Sequence, residues 1–585
     1  MKLIEKKRYR KDIDGLRAFA VLSVLIFHLG FLPKGFLGVD VFFLISGYLI
    51  TDILYREISE DTYSVKDFYI RRVRRILPLV SFICFISLLL GILLMLPDDL
   101  ENLAQSVIAT NFFGNNVLQI LTTKDYWDVV NEYKPLMHTW SLAVEEQYYF
   151  LYPIIFSLFG KHRKNWILPI IIFLTVCSLV VYFLPFEEYL KFYLLPFRFF
   201  EMSIGGIAAI YLKGRIIETR LSPLVILMVI GMMIWDIPFL PSDWQLIATV
   251  VLTCFLLCID HSKNLISAAL LQNSVVVFIG KISFSLYMWH QLLFAFGRYA
   301  FFETIGLEES LLLLMLTFIL SITSYFLIEQ PFRNKNKFSN KFVISTLIIF
   351  FLVTSGLSGY IYVKAGVLKD IPELGIEKNN ASRGMHSAYN HRNYKLNQPF
   401  KSNKIKVLVI GDSFARDWIN VLKESKYDSL IEVSYIDNPR SNKNLRRISE
   451  SADIIFYTNM LLSIIRYQEL KLDESKLWVV GIKNFGMSSG YFYNYKGDDY
   501  CEQTTAMAEG YTDKNKELSS FFGKKYIDLI KLVSDKETQQ MPVFTNDCKF
   551  ISQDCRHLTK SGAIYFADKI NLLKNFPLDL VNRKF

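Results

Sequence analysis

The stretch Asp14-Gly-Leu-Arg-Ala-Phe-Ala-Val-Leu-Ser-Val-Leu-Ile-Phe-His28, followed by Gly38-Val-Asp-Val-Phe-Phe-Leu-Ile-Ser-Gly-Tyr-Leu-Ile-Thr51, decides how this chain is read. It is apolar enough to sit in a bilayer, yet Arg17 and His28 lie inside or at the edges of one helical length. Eleven positions apart, they are separated by about 16 Å of rise and about 20° of rotation at the helical repeat. Both therefore fall on one stripe at two depths. An ionisable group on a membrane helix is costly unless it faces a polar cavity, so the pair marks a functional site. The alternative is that each side chain snorkels to its nearer headgroup layer.

The rest of the chain supports that setting. With 585 residues, 52% of them hydrophobic and 15% aromatic, it is too apolar for an ordinary soluble protein. Apolar runs recur from 15 to 363, and the composition then turns globular. Candidate spans are 15–33, 36–55, 76–96, 138–159, 166–184, 192–212, 221–236, 244–260, 276–298, 309–328 and 340–363. The weaker segment 103–121, with Asn111, Asn115 and Asn116, reads as interfacial or re-entrant. The first run contains His28 and shows no small-x-small cleavage site before Lys34, so it reads as a span rather than a removed leader.

The net charge of +10 is not spread evenly. Basic residues gather beside the apolar runs, at Lys6–Arg8, Arg71–Arg75, Lys161–Lys164, Lys213–Arg220 and Arg333–Lys341. The intervening loops carry Asp98, Asp99, Glu101, Glu187, Glu188, Glu308 and Glu309. This is the positive-inside asymmetry. It places the N-terminus in the cytoplasm and, across an odd number of spans, residues 364–585 outside it. The charge accompanies no nucleic-acid recognition motif, and that class of partner is excluded.

Several polar groups in the apolar half need partners. Arg71, Arg72, Arg74 and Arg75 stand at the cytosolic mouth of the third span, where a row of guanidiniums suits phosphate or anionic lipid. His138-Thr-Trp-Ser-Leu-Ala-Val-Glu-Glu-Gln-Tyr148 opens the fourth span with Glu145 and Glu146, which must meet cations or face water. Arg198 and Glu201 have the spacing of a structural ion pair. His290, in Ser283-Phe-Ser-Leu-Tyr-Met-Trp-His290, reads equally as structural or functional.

The spacing of Arg17 and His28, with Phe36-Leu-Gly-Val-Asp40 and Phe43-Leu-Ile-Ser-Gly-Tyr48, resembles the opening of the membrane-bound acyltransferase-3 family, and the stretch from His138 resembles another motif of that family. The resemblance implies that His28 handles the acyl group. It also implies that Arg17, Asp40, Arg71, Arg72, Arg75, Glu145 and Glu146 form the acyl-CoA or membrane-domain site, the arginines meeting the phosphates of coenzyme A.

Beyond a polar stretch at 364–404, Ile405-Lys-Val-Leu-Val-Ile410 reads as a buried parallel strand running into Gly411-Asp-Ser413 and a helix. That geometry puts the serine at the carboxyl end of a sheet with helix N-terminal donors beside it. Near the other end, Asp554-Cys-Arg-His557 precedes a terminal helix. Ser413, His557 and Asp554 supply a nucleophile, a base and a carboxylate to orient the base. Further strands at 431–436, 453–457 and 477–481 give an αβα pattern.

The pairing of these two motifs resembles the SGNH hydrolase and acyltransferase superfamily. No glycine lies between Gly411 and Gly481, so that superfamily's second oxyanion glycine is missing. Its asparagine is Asn459 or Asn484, with strand order favouring Asn459. Cys548 and Cys555 bracket the loop to Asp554, and an extracytoplasmic location permits a disulfide between them. No metal-ligand cluster is expected.

The expectation is a polytopic α-helical membrane domain of about eleven spans, followed by an α/β SGNH-hydrolase-like domain with a parallel sheet. Its parts are 1–339 (acyltransferase-3 region), 340–363 (one more transmembrane helix), 364–404 (linker or extension) and 405–585 (extracytoplasmic domain). The two resemblances together imply an O-acyltransferase of the bacterial cytoplasmic (inner) membrane, with acetyl-CoA as donor. Its acceptor would be a surface polysaccharide, lipopolysaccharide O-antigen first and peptidoglycan second. A glycan transporter and a membrane-anchored esterase are the competing readings.

Overall fold

The computed structural model describes residues 9–582 apart from 123–131, 160–163, 213–218, 239, 303–304, 438, 440–441, 443, 461, 463–467, 471, 488, 509, 553 and 575. The expected basic stretches at 6–8, 161–163 and 213–218 lie outside the described residues. The chain divides into two units, one of Met1–Leu93, Asn102–Arg298 and Thr304–Gly359, the other of Leu94–Glu101, Tyr299–Glu303 and Tyr360–Phe585.

The first unit is helical, and a helix stands on each of the eleven stretches expected to span. Among the described residues, five helices are long and apolar enough to cross a membrane: Gly35–Ser59, Val65–Leu94, Lys164–Phe183, Leu307–Arg333 and Asn340–Val363. Leu265–Lys281 and Ser283–Phe301, bent by 52° at their junction, make a sixth if counted together. Ser222–Ile234 and Ser242–Leu257 are shorter than the roughly 20 residues a hydrocarbon core requires. Helix Lys11–His28 fails on composition, since it carries Lys11, Asp12, Asp14 and Arg17. Eleven crossings therefore exceed what length and apolarity support by themselves. Helix Asn340–Val363 exposes Ile344, Ile348, Ile349, Leu352 and Val353, an apolar face that suits lipid.

Small residues let the inner helices approach. A Cβ at Gly47 of helix Gly38–Ser59 would sit 1.8 Å from the Met202 carbonyl of helix Leu195–Leu212. Only glycine permits that contact. The weak segment at 103–121 is broken: helix Pro97–Asn111 and helix Asn115–Thr122 meet at Phe113, whose φ is 51°. Its asparagines hold the break in place. Asn115 Nδ2 donates to the Leu136 carbonyl at 2.8 Å and Asn116 Nδ2 to the Tyr193 carbonyl at 3.0 Å.

The second unit is built on strands β1 (Ile405–Ile410), β2 (Ile431–Ile436), β3 (Ile454–Tyr457), β4 (Leu477–Val480) and β6 (Tyr526–Ile527), all parallel in the order β2-β1-β3-β4-β6. Short strands β5 (Thr504–Thr505) and β7 (Met541–Pro542) form an antiparallel ribbon. Val407, Leu408, Val409 and Ile410 are all fully buried, as a strand covered on both faces requires. The order reverses at β1, which has β2 on one side and β3 on the other. In open parallel sheets the crevice at the carboxyl ends beside such a reversal is where ligands bind.

Residues 364–404, expected as a linker or extension, make contacts of their own in the second unit. Ile371 bridges Ile376, the Phe550 amide donates to the Glu373 carbonyl at 2.8 Å, and Asn393 Nδ2 donates to Asn420 Oδ1 at 2.9 Å. The unit also takes in 94–101 and 299–303, because Leu96 is buried with Ile371, Phe492 and Phe550 and Tyr299 donates to Asp99 at 2.6 Å. The disulfide joins Cys548 to Cys501, with a Cα separation of 5.1 Å, not to Cys555. The β5–β7 pairing sets the chain before β5 beside the chain after β7, whereas Cys555 is buried and takes no part.

Candidate active site

In the second unit the chain turns sharply at Gly411, where φ is 139° and a Cβ would lie 1.6 Å from the Thr458 carbonyl. Only glycine lets β1 leave the sheet against the end of β3. Asp412 then caps helix Ser413–Glu424: its Oδ1 accepts from the Phe414 amide at 3.0 Å and its Oδ2 from the Met460 amide at 2.8 Å. One carboxylate thus fixes the serine turn and the loop after β3 together. Asn459 immediately precedes Met460 in that loop. Asn484, the competing candidate, follows β4, one strand further away. It is fully buried, and its Oδ1 accepts from the Gly486 amide at 2.9 Å.

The base arrives from the far end of the sequence. Asp554 Oδ1 accepts from the amides of Arg556 at 3.1 Å and His557 at 2.8 Å, folding residues 554–557 into a tight turn. His557 Nδ1–H donates to Asp554 Oδ2 at 2.6 Å, which leaves Nε2 to accept from Ser413 Oγ at 2.8 Å. Ser413, His557 and Asp554 are therefore one hydrogen-bonded chain. Burial alone would lower the His557 pKa, but the charge and hydrogen bond of Asp554 raise it above the ordinary histidine value. Burial would raise Asp554, yet His557 and the two amides hold it well below the carboxylate range. The arrangement suits proton abstraction from serine, with an imidazolium stabilised beside a fixed anion.

Two residues that the motifs did not single out stand behind this chain. Lys483 Nζ meets Asp417 Oδ2 at 2.7 Å, and Asp417 Oδ2 also accepts from the Leu558 amide at 3.1 Å. Asp417 is one turn beyond Ser413 on its helix, and Leu558 follows His557. The sequence signal was a lysine three residues past a buried strand, in Gly481-Ile-Lys-Asn484.

In the first unit a cleft is lined by Arg17, Arg72, Arg75, Glu145, Tyr149 and Tyr287, with Ser141. Arg72 lies over the Tyr149 ring at 5.0 Å from its centroid, and the Tyr149 hydroxyl donates to Glu145. The other expected members are placed elsewhere. Arg71 turns to Glu57 at 2.7 Å and is 41% exposed. Arg74, its neighbour, is tied to Asn340 Oδ1 at 2.9 Å and the Phe338 carbonyl at 2.7 Å. Glu146 is outside the cleft lining, with Oε1 buried and unpartnered. Asp40 pairs with Arg198 at 2.8 Å, and Arg198 with Glu201 at 2.9 Å. That buried triple clamps helix Gly38–Ser59 to helix Leu195–Leu212.

His28 sits in a group of imidazoles. Its ring centroid is 5.2 Å from that of His290, and His290 is 5.5 Å from His138. Tyr287 borders both His138 and His290, at 5.2 and 5.3 Å. Its hydroxyl reaches Ser141 Oγ at 2.6 Å and the His138 carbonyl at 2.9 Å. Tyr287 and Ser141 also line the cleft, so helix Lys11–His28 carries Arg17 at the cleft and His28 at the imidazoles.

A family model described as an acyltransferase domain matches residues 10–330. The chain belongs to this acyltransferase-3 family. It is 30% identical over 73% of its length to 78% of a Staphylococcus aureus (strain MRSA252) protein named "Putative O-acetyltransferase SAR0937". It is 27% identical over 68% of its length to 71% of the Bacillus subtilis "Putative peptidoglycan O-acetyltransferase YrhL". It is also 30% identical over 60% of its length to 62% of the Staphylococcus aureus "O-acetyltransferase OatA". No solved structure matches.

The family match contains the arginine cleft and the imidazoles but not the Ser413 chain, so this acyltransferase carries its serine in a region the family model leaves out. Among the described residues, one group of possible metal ligands, Asp98, Glu101 and His386, has its ligand atoms within 4.8 Å of one another. The His386 Nε2–H donates to the Ala365 carbonyl at 2.7 Å.

Proposed function

We propose that the protein takes an acyl group, acetyl by analogy with its relatives' names, from cytosolic acyl-CoA and delivers it to a hydroxyl of a glycan outside the cytoplasm. The arginine cleft holds the phosphates and diphosphate of the donor, where guanidiniums bind bidentately. His28 takes up the acyl group. The second unit, an SGNH-type domain in this reading, receives it on Ser413. His557 removes the serine proton during acylation and returns it to the departing group, then does the same for the sugar hydroxyl. The amide end of helix Ser413–Glu424, with Asn459, faces the charge that develops on the acyl oxygen.

One observation carries this reading. A member of an acyltransferase family possesses a second, complete nucleophile–base–acid chain outside the family region. A donor confined to the cytosol and an acceptor outside explain why one polypeptide would need both. The basic loops favour the same orientation. For the acceptor, peptidoglycan fits the relatives' names at least as well as lipopolysaccharide O-antigen, and peptidoglycan is the first glycan to examine. The test is mass spectrometry of surface glycans from cells lacking the gene and complemented with Ser413→Ala. The reading expects the acetyl increment to be absent with this variant and restored by the unaltered chain. Full acetylation by Ser413→Ala would overturn it.

A further inference from the structure

The imidazole group holds more chemistry than His28 alone uses. His290 is fully buried, and its Nδ1–H donates to the Tyr287 carbonyl at 2.6 Å. That bond fixes the tautomer and leaves Nε2 with its lone pair. Nε2 is buried and has no hydrogen-bond partner. His138 is 2% exposed, and neither of its ring nitrogens has a partner. Buried polar atoms are normally satisfied, so three orphaned nitrogens in one place are an exception that asks for a function. They cluster with His28 beside Tyr287, which together with Ser141 lines the arginine cleft.

We propose that His138 and His290 form with His28 a single acyl-transfer centre for a thioester entering the cleft, with His290 as its proton acceptor and His138 as the shuttle beside it. The inference rests on the reading above that His28 receives the acyl group. In the step, a His28 ring nitrogen attacks the thioester carbon, the new C–N bond forms, and the C–S bond breaks with its electron pair leaving on sulfur. The proton lost from the His28 ring passes to His290 Nε2 and from there, through His138, to the thiolate. The products are acyl-His28 and free thiol. No outside oxidant, reductant or metal enters the balance. A base of this kind contributes about 100-fold or more to such a step.

Two substitutions separate this role from a structural one. His290→Asn keeps a donor where Nδ1–H meets the Tyr287 carbonyl but removes the Nε2 position; His290→Gln does the reverse. The experiment uses the full-length chain with Ser413→Ala, so that acyl transfer stops in the membrane unit, and follows thiol release from acetyl-CoA in the first turnover. With all three histidines present the proposal expects a burst near one thiol per chain. It expects His290→Asn to slow the burst by about 100-fold with an unchanged melting temperature, and His138→Ala to slow it as well. If His290→Asn keeps the burst within twofold while His290→Gln abolishes it, the ring only holds Tyr287 and the proposal is wrong. A burst absent even with all three histidines overturns the donor reading itself, and this inference with it.

Discussion

Lys483 Nζ and Asp417 Oδ2 form an ion pair of 2.7 Å in which each side chain is only 2% exposed. It locks the helix of Ser413 to the loop after β4, and through the Leu558 amide to the loop of His557. Removing one partner leaves a buried uncompensated charge, which typically costs about 3–5 kcal/mol. Lys483→Met is therefore expected to lower the melting temperature of the full chain. The double variant Asp417→Leu with Lys483→Met should recover much of that loss while still slowing reaction of Ser413 with an active-serine probe. Equal stability of both variants and the unaltered chain would show that the pair is inert.

The pH dependence of Ser413 chemistry follows from His557. The ring must be neutral to accept the serine proton, and Asp554 raises its pKa. Activity should then rise with pH through a value above 6.5, the ordinary histidine figure, and fall away below it. Asp554→Asn should move that limb to lower pH and cut the rate by roughly 10³–10⁴-fold, since the ring loses its tautomer and its anion. A pH–rate profile with acetyl esters checks both.

The arginines divide by where they point. Arg72 and Arg75 line the cleft, whereas Arg71 faces Glu57 and solvent. Charge-assisted hydrogen bonds are worth about 1.5–3 kcal/mol each. Arg72→Ala and Arg75→Ala should each raise the KM for acetyl-CoA by about ten-fold or more with little change in kcat. Arg71→Ala should stay within about twofold.

The disulfide is testable by thiol counting. Cys548→Ser should free the thiol of Cys501 for labelling, and Cys555→Ser should leave the Cys501–Cys548 bond in place. Loss of the bond, which closes a separation of 47 residues, should destabilise the second unit by about 2–5 kcal/mol.

The local motifs were legible because each needs only neighbouring residues. Gly411-Asp-Ser413 demands a strand, a glycine turn and a capped helix, and Asp554 with His557 makes its own turn. The structure brings these two ends together at the reversal of strand order. Partners set by long-range packing were not legible. Cys501 lies 47 residues from Cys548, and nothing local marks the β5–β7 pairing that joins them. Asp40 stood in a motif, but its role as a clamp on Arg198 depends on two helices that approach through Gly47 and Gly205. His290 was visible as a polar exception in an apolar helix and His138 only as the first residue of a motif, yet only folding shows that they share a place with His28.

The most direct measurement is to give isotopically labelled acetyl-CoA to the full-length chain in the absence of glycan and to map label onto peptides by mass spectrometry. The account predicts acetyl on the peptide that contains Ser413 in the unaltered chain and none there in His28→Ala. Label on that peptide undiminished in His28→Ala would contradict it.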